Sequence, residues 1–292
     1  HPDMYLRGAR RVLDIGQTSR GCSHRCTFCY TSVLHQHRWR AMSVDKTLNM
    51  IIENVRRFNL DGIWLRDDEF FLDLKRVQAV CEGIIREGLN ILWYTSGARV
   101  TDILRASDDQ LRLIKRSGAH VMRFGAESGS NRILRFIQKG QTVEQILEVN
   151  QRCRSFGFKP VYSLMCGMPT ETLNEIDETI NLFFRLRKEN PAASLAPLCQ
   201  FTVFPGTPIH DTAVKMGLRS PDRLEEWTDW VYTEPDFKGG RIPWFNKKER
   251  RWLGNLTYLS NIAYAGSSVL ATVENKPLNS IVNLALKILS RY

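Results

Sequence analysis

No stretch of this sequence strings together the eighteen or so apolar residues that a membrane-spanning helix needs. Its start, HPDMYLRGARR, lacks the apolar core of a signal peptide and an initiator Met. The expectation is therefore a piece of a longer chain. Cysteine is sparse: seven in 292 residues, an odd count that excludes a fully paired disulfide scaffold. A reducing, cytoplasmic setting follows. Low-complexity tracts are lacking too. With 43% hydrophobic and 25% charged residues, the chain has the composition of a globular protein able to bury a sizeable core.

Positive charge is abundant. The net charge is +10, and it is concentrated. Residues 1–40 hold seven Lys/Arg against two Asp, and residues 238–252 hold six against Glu249. Such patches attract nucleic acid, anionic lipid or an acidic small molecule, or form a solvated face toward an acidic partner domain. The aromatic interleaving of an RNA-binding module is missing, which weighs against nucleic acid.

Strand-like and helix-like segments alternate along the chain. Residues 11–19 lead into a cysteine loop. A helix is predicted over 43–58, capped by Ser43, with Leu48, Ile51, Ile52 and Val55 on one face. Strands are predicted at 62–67, 90–96, 120–128, 160–169 and 195–208. Helices are predicted at 73–87, 108–118, 131–137, 142–157 and 171–189. Six such units imply an α/β fold with parallel strands and right-handed crossovers, a partial (β/α)6 TIM-like barrel. Polar and Gly-rich residues fall at the C-terminal strand ends, the edge where such barrels carry their chemistry. From 218 the pattern breaks, so the expected division is a core over 1–217 and a mainly helical extension over 218–292. Helices are predicted there at 246–265 and 278–291.

The loop GCSHRCTFCY crowds Cys22, Cys26 and Cys29 into eight positions. Spacings of three and two bring thiolates together on one turn of backbone. A structural zinc would want a fourth ligand, for which His24 is the candidate inside the loop. An iron–sulfur cluster also takes four cysteines as a rule. Held by three, it keeps one iron open for an exchangeable ligand, which is the logic of a catalytic centre. Cys81, Cys153, Cys166 and Cys199 sit in apolar stretches and read as small buried hydrophobes.

Other strand ends carry charge. LRDDEFF places Asp67, Asp68 and Glu69 where a helix N-terminus would also favour them. RFGAESGSNRIL places Glu127 in a Gly-rich turn, where a carboxylate can accept two ribose hydroxyls, while Ser128 and Ser130 are candidate helix caps. Arg99, after the third strand, is suited to a carboxylate or to a surface salt bridge. GMPTET over 167–172 reads as a turn and helix start, and Pro205-Gly206 as a turn.

CSHRCTFC resembles the cluster motif of the radical S-adenosylmethionine (SAM) enzymes. That resemblance implies a [4Fe–4S] cluster on Cys22, Cys26 and Cys29, with SAM chelating the fourth iron and cleaved reductively to a 5′-deoxyadenosyl radical. Phe28 matches the family's aromatic position near adenine. Asp67, Asp68, Glu69, Glu127, Ser128 and Arg99 become candidates for SAM binding by the same resemblance. Together, TSRGC, DDEFF, GAESGS, GMPTET and FPGTP are similar to the radical SAM proteins that carry a cobalamin-binding domain, over roughly residues 10–235. This implies a B12 domain before His1 in the parent chain and methyl transfer as the reaction, although D-x-H-x-x-G is absent from these residues. It also implies a small-molecule or lipid-like substrate and an electron donor such as flavodoxin or ferredoxin. Two alternatives stay open: a B12-independent enzyme such as a tRNA methylthiotransferase, and a non-catalytic zinc or iron–sulfur protein that binds nucleic acid.

Overall fold

Seven parallel-paired strands organise the chain, as seen in a computed structural model that describes residues 6, 8–230, 236, 238 and 240–269. The strands are β1 (Val12–Asp14), β4 (Gly62–Leu65), β5 (Leu92–Ala98), β6 (Ala119–Glu127), β7 (Lys159–Cys166), β8 (Ser194–Leu195) and β9 (Cys199–Gln200). Six of them lie in the order β1-β4-β5-β6-β7-β8, and β9 adds to β7 further along its length. Along that order neighbours follow the chain and every pairing is parallel, so the connections from β1 through to β8 cross over through helices, while β8 and β9 are joined directly by residues 196–198. The predicted open barrel is the observed architecture. One prediction needs correcting. The strand expected, with its exit turn, at 195–208 is two short strands, because Pro197 interrupts it and residues 201–204 carry no strand pairing.

The crossover helices are α2 (Val44–Phe58), α3 (Leu74–Arg86), α5 (Asp108–Arg116), α7 (Val143–Ser155) and α8 (Leu173–Glu189). Their starts are written locally. Ser43, Asp73, Ser107, Thr142 and Thr172 each accept a backbone N–H of the first turn, and the last three complete capping boxes with Gln110, Gln145 and Glu175. On α2, Leu48, Ile51 and Val55 are buried as expected, each contributing on the order of 1.5–3 kcal/mol by burial. Short helices α4 (Val100–Arg105), α6 (Asn131–Phe136) and α9 (Pro208–Lys215) complete the shell. Neither α4 nor α9 is evident from periodicity, since each spans barely two turns.

Two apolar clusters result. The larger fills the space between strands and helices around Trp93, Phe70, Phe71, Phe124 and Phe158. The smaller, Leu6, Ala9, Tyr94, Val121, Val161 and Ala196 with Val12, Trp64 and Leu92, takes residues from successive strands on the other face of the sheet. Burial on both faces is why these strands read as near-continuous apolar runs.

Beyond residue 217 the chain packs back on the strand ends. Ile242, Phe245, Leu253 and Leu256 join the larger core, and the Trp244 indole donates to the Gly167 carbonyl at 3.2 Å. Helix α10 (Lys247–Val269) covers the predicted 246–265. The helix predicted at 278–291 lies outside the described residues. Among the described residues, no helix is long and apolar enough to cross a membrane.

Candidate active site

The cysteine loop joins two structures that the sequence does not announce. It leaves β2 (Ser19–Arg20), which pairs antiparallel with β3 (Arg40–Ala41), and enters α1 (Tyr30–Leu34), of which Cys29 is the N-cap. The loop is pinned from several sides. Thr27 donates its backbone N–H to the Ile137 carbonyl and accepts that of Ile209, at 2.9 and 3.1 Å. Gly21, at φ 82°, would press a Cβ to 2.1 Å from the Arg38 carbonyl, so only glycine fits. All seven cysteines are free.

The carboxylates after β4 divide by role. Asp67, 1% exposed, accepts from the Thr18 hydroxyl at 2.9 Å and the Ser19 hydroxyl at 2.5 Å. Asp68 accepts the Gly21 N–H at 2.8 Å. Both therefore hold the entry to the cysteine loop. Glu69 faces inward beside Asp102, a residue sequence reasoning did not single out. Burial, then the Asp102 charge, pushes the Glu69 carboxyl well up, and burial does the same to Asp102. Of these neighbouring carboxyls, Asp102 opposes ionisation of Glu69, while the Arg105 guanidinium, 2.6 Å from Asp102 Oδ1, draws Asp102 the opposite way. His24 Nε2 lies 4.0 Å from Asp102 Oδ2. Burial, Arg99 and Lys139 hold its imidazole down to about 4, hence neutral at pH 7.

Glu127 ends β6 at φ 65°, past a register shift between Gly125 and Glu127. A non-glycine residue in this conformation is strained. The strain is held by Lys139, whose Nζ donates to Glu127 Oε1 at 2.7 Å with both side chains under 10% exposed. Lys139 Nζ also lies 5.8 Å from the centroid of the Phe28 ring. Gln141 Nε2 donates to the carbonyls of Gly125 and Ala126, at 3.0 and 3.2 Å. Lys139 and Gln141 are further residues the sequence reading passed over; the Gly140 between them, at φ 68°, was the available signal.

Arg99 precedes α4 but makes no cap with its side chain. Its guanidinium donates to Cys26 Sγ at 3.3 Å and to the Lys139 carbonyl. Ser128 is fully buried and bonds Thr179 and the Ser130 N–H. Ser130, not Ser128, caps α6. The GMPTET turn is organised by Glu171, which accepts the N–H groups of Gly167 and Met168 at 2.6 and 3.0 Å. Asp67, Asp68, Ser128 and Glu171 thus sit in structural hydrogen bonds, while Cys22, Cys26, Phe28, Glu69, Arg99 and Glu127 surround one buried polar region.

The sequence profile of the Radical SAM superfamily matches residues 17–183, more than half of the chain. The chain belongs to the radical SAM superfamily. An uncharacterized methyltransferase of Pyrococcus horikoshii is 32% identical over 201 residues, which cover 69% of this chain and 42% of the relative. Cytidylyl-2-hydroxyethylphosphonate methyltransferase of Streptomyces wedmorensis is 29% identical over 168 residues, covering 56% and 30%. The chain thus spans less than half the length of these curated relatives. Among solved structures, the cobalamin-dependent radical SAM enzyme OxsB, with aqua-cobalamin and SAM bound, superposes with a TM-score of 0.64. It is 19% identical, over 96% of this chain and 45% of that one, a likeness in fold.

Membership brings the family's two cofactors, a [4Fe–4S] cluster and SAM, and the residues fit them. Among the described residues, the metal-ligating atoms that gather within 4.8 Å belong to His24, Glu69 and Asp102, not to the three cysteines. Thiolates on one tetrahedral zinc would lie roughly 3.8 Å apart, given Zn–S bonds of about 2.3 Å; a cluster spreads its ligands wider. Burial, opposed by the His24 N–H, pushes the Cys22 thiol up to about 11, so taking up iron must displace a proton. Arg99 Nε, His24 Nε2, Thr27 Oγ1, Asp102 Oδ2 and Gln141 Oε1 are buried with no protein partner. Such atoms also occur elsewhere, as at His120 Nε2 and Glu171 Oε1, but those on the cysteine loop and beside it are the ones a polar ligand bound there would pair with.

Proposed function

We propose that this chain is the catalytic core of a cobalamin-dependent radical SAM methyltransferase acting on a small-molecule or lipid-like substrate. The observation that carries the reading is the loop of Cys22, Cys26 and Cys29, free thiols set against the buried cation Arg99 at the C-terminal edge of the barrel. Bound there, a [4Fe–4S] cluster and SAM supply one-electron reductive cleavage of the sulfonium. The chain's own residues do the rest. Glu127, strained and fixed by Lys139, presents its carboxylate for the ribose hydroxyls, and Phe28 offers an aromatic wall for adenine. The Arg99 Nε–H is a buried donor suited to the carboxylate of SAM. The Glu69 and Asp102 carboxyls would offer acceptors to the N–H groups of its amino end.

Methyl transfer and cobalamin are supported by the two methyltransferase relatives and by the cobalamin in the OxsB fold. The motif D-x-H-x-x-G is absent from these residues, so no residue is assigned to cobalamin and no step is drawn through it. The proposed division is a radical SAM core over 1–217 and an extension over 218–292, whose described residues Ile242, Phe245, Leu253 and Leu256 pack on the core. On the inner face of the sheet, Arg123 bonds Ser163 at 3.3 Å and pairs with no carboxylate among the described residues, which suits an acidic group on the substrate. A flavodoxin- or ferredoxin-type donor and a reducing, cytoplasmic setting fit seven free cysteines.

The test is anaerobic. The chain is reconstituted with iron and sulfide, then given SAM and a strong reductant, and 5′-deoxyadenosine is measured with Cys26→Ala as control. Production that vanishes in the variant is the expected result. Zinc taken up in preference to a cluster would sink the reading. Methyl transfer is then sought in the parent protein, with and without cobalamin.

A further inference from the structure

Arg99 is 6% exposed, and among the described residues it forms no ion pair with a carboxylate. A buried guanidinium cannot shed its proton, so it requires an anion nearby. Glu69 is close, but burial and Asp102 keep that carboxyl from supplying a full charge. What the guanidinium does touch is Cys26 Sγ, at 3.3 Å, across 73 positions of sequence. Its other terminal nitrogen is anchored by the Lys139 carbonyl, so the group is fixed rather than swinging. Cys26 is itself only 5% exposed. The contact is therefore shielded from water, where a charged hydrogen bond acts at close to full strength.

We propose that Arg99 is a positioning residue that sets the reduction potential of the cluster, through a charged N–H···S bond to Cys26. This rests on the reading that Cys22, Cys26 and Cys29 hold that cluster. Reduction adds one electron, so a fixed positive charge on a ligand sulfur stabilises the reduced state more than the oxidised one. Hydrogen bonds to cluster sulfurs and local net charge are the protein's levers on such potentials. Arg99 raises the potential and so eases reduction by the external donor.

The test uses the whole reconstituted chain without SAM, in a redox titration followed by electron paramagnetic resonance. Wild type, Arg99→Lys and Arg99→Gln are compared, each with iron and sulfide content measured. Arg99→Gln keeps a donor of similar shape but removes the charge. It is expected to lower the reduction equilibrium constant about tenfold, which is about 59 mV for one electron. Arg99→Lys, retaining the charge, should recover at least half of that shift. An unmoved potential in a fully loaded Arg99→Gln cluster overturns the proposal. So does an unmoved potential beside a loss of SAM affinity, measured separately by calorimetry on the loaded variant, which would make Arg99 a ligand clamp only. Should Arg99→Gln fail to assemble, a loaded Arg99→Lys with the potential of the wild type and a loaded Arg99→His whose potential does not rise as pH falls would overturn it as well. A wild-type chain that holds no cluster refutes the underlying reading instead, and the iron analysis tells the two failures apart.

Discussion

Two buried polar regions lie side by side at the strand ends, and they are built on opposite rules. In the wall between α6 and α8, Glu175 accepts from Ser130, Arg132 and Thr172 with both of its oxygens, and Thr179 bonds Ser128 and the Gly129 N–H. Each of these groups is satisfied by protein. Around the cysteine loop, by contrast, Arg99, His24, Asp102 and Gln141 each keep a buried atom with no partner. A protein tolerates such atoms only where something else pairs with them. The difference separates a wall whose named groups are all paired from a loop where several unpaired groups meet, although single unpaired atoms also occur elsewhere, as at Glu171 Oε1 and Asp177 Oδ1. Type and burial alone do not separate them, since Glu175 and Glu127 are both buried glutamates.

The largest expected effect comes from breaking the buried ion pair on the ligand side, Glu127 with Lys139. Glu127→Gln leaves Lys139 as an uncompensated buried cation, and Lys139→Met leaves the converse. Either should cost about 3–5 kcal/mol in chemical denaturation. The double variant should regain most of that stability while SAM affinity, measured by calorimetry on the reconstituted chain, stays lost. If the double variant recovers SAM binding too, Glu127 is part of the wall and not of the site.

How much of this was legible beforehand follows the same division. Capping boxes, strand order and the three cysteines could be read because they are local, set by spacing and period. Arg99 against Cys26, or Lys139 against Glu127, depends on which strand ends meet across the barrel, which no spacing encodes. The carboxylates of DDEFF show the limit well. Three adjacent acids look equivalent in sequence, yet Asp67 and Asp68 tie down Thr18, Ser19 and Gly21 while Glu69 turns toward Asp102. The sixth strand is shorter and more broken than its sequence suggests for a different reason: apolar residues over 195–204 mark burial, and burial does not by itself require a strand.

Within the wall, Glu175→Ala should cost about 2–3 kcal/mol, because it leaves Arg132 and two hydroxyls short of an acceptor. SAM affinity should stay within twofold of wild type; a larger drop would merge the two regions. A pair of glycines sharpens the comparison further. A Cβ on Gly129 would fall 2.3 Å from the Glu178 carbonyl, in backbone, so Gly129→Ala should lower stability by about 1–3 kcal/mol. A Cβ on Gly125 would meet instead the movable ends of Glu127 and Lys139, at 2.3 and 2.7 Å. Gly125→Ala should therefore weaken SAM binding more than it lowers the denaturation midpoint, the reverse of Gly129→Ala.

The smallest effect separates the regions by pH. Hydrogen bonds from Arg132, against the opposing pull of burial, hold the Glu175 carboxyl down to about 2. An unfolded glutamate titrates near 4.3, so the unfolded chain binds more protons between those values and stability rises with pH there. The contribution is complete above about pH 4.5 and is lost as pH falls toward 2. Arg132 is 47% exposed at its side chain, so screening trims the contribution to about 1–2 kcal/mol. Denaturation midpoints measured from pH 6 down to pH 3 should fall less steeply in Glu175→Gln than in wild type. Glu127→Gln should leave the difference that Glu175→Gln makes intact, because the two glutamates share no partner. If the two variants flatten the acid limb less together than the sum of their separate effects, the wall and the site are one electrostatic unit, and the distinction drawn from their unpaired atoms fails.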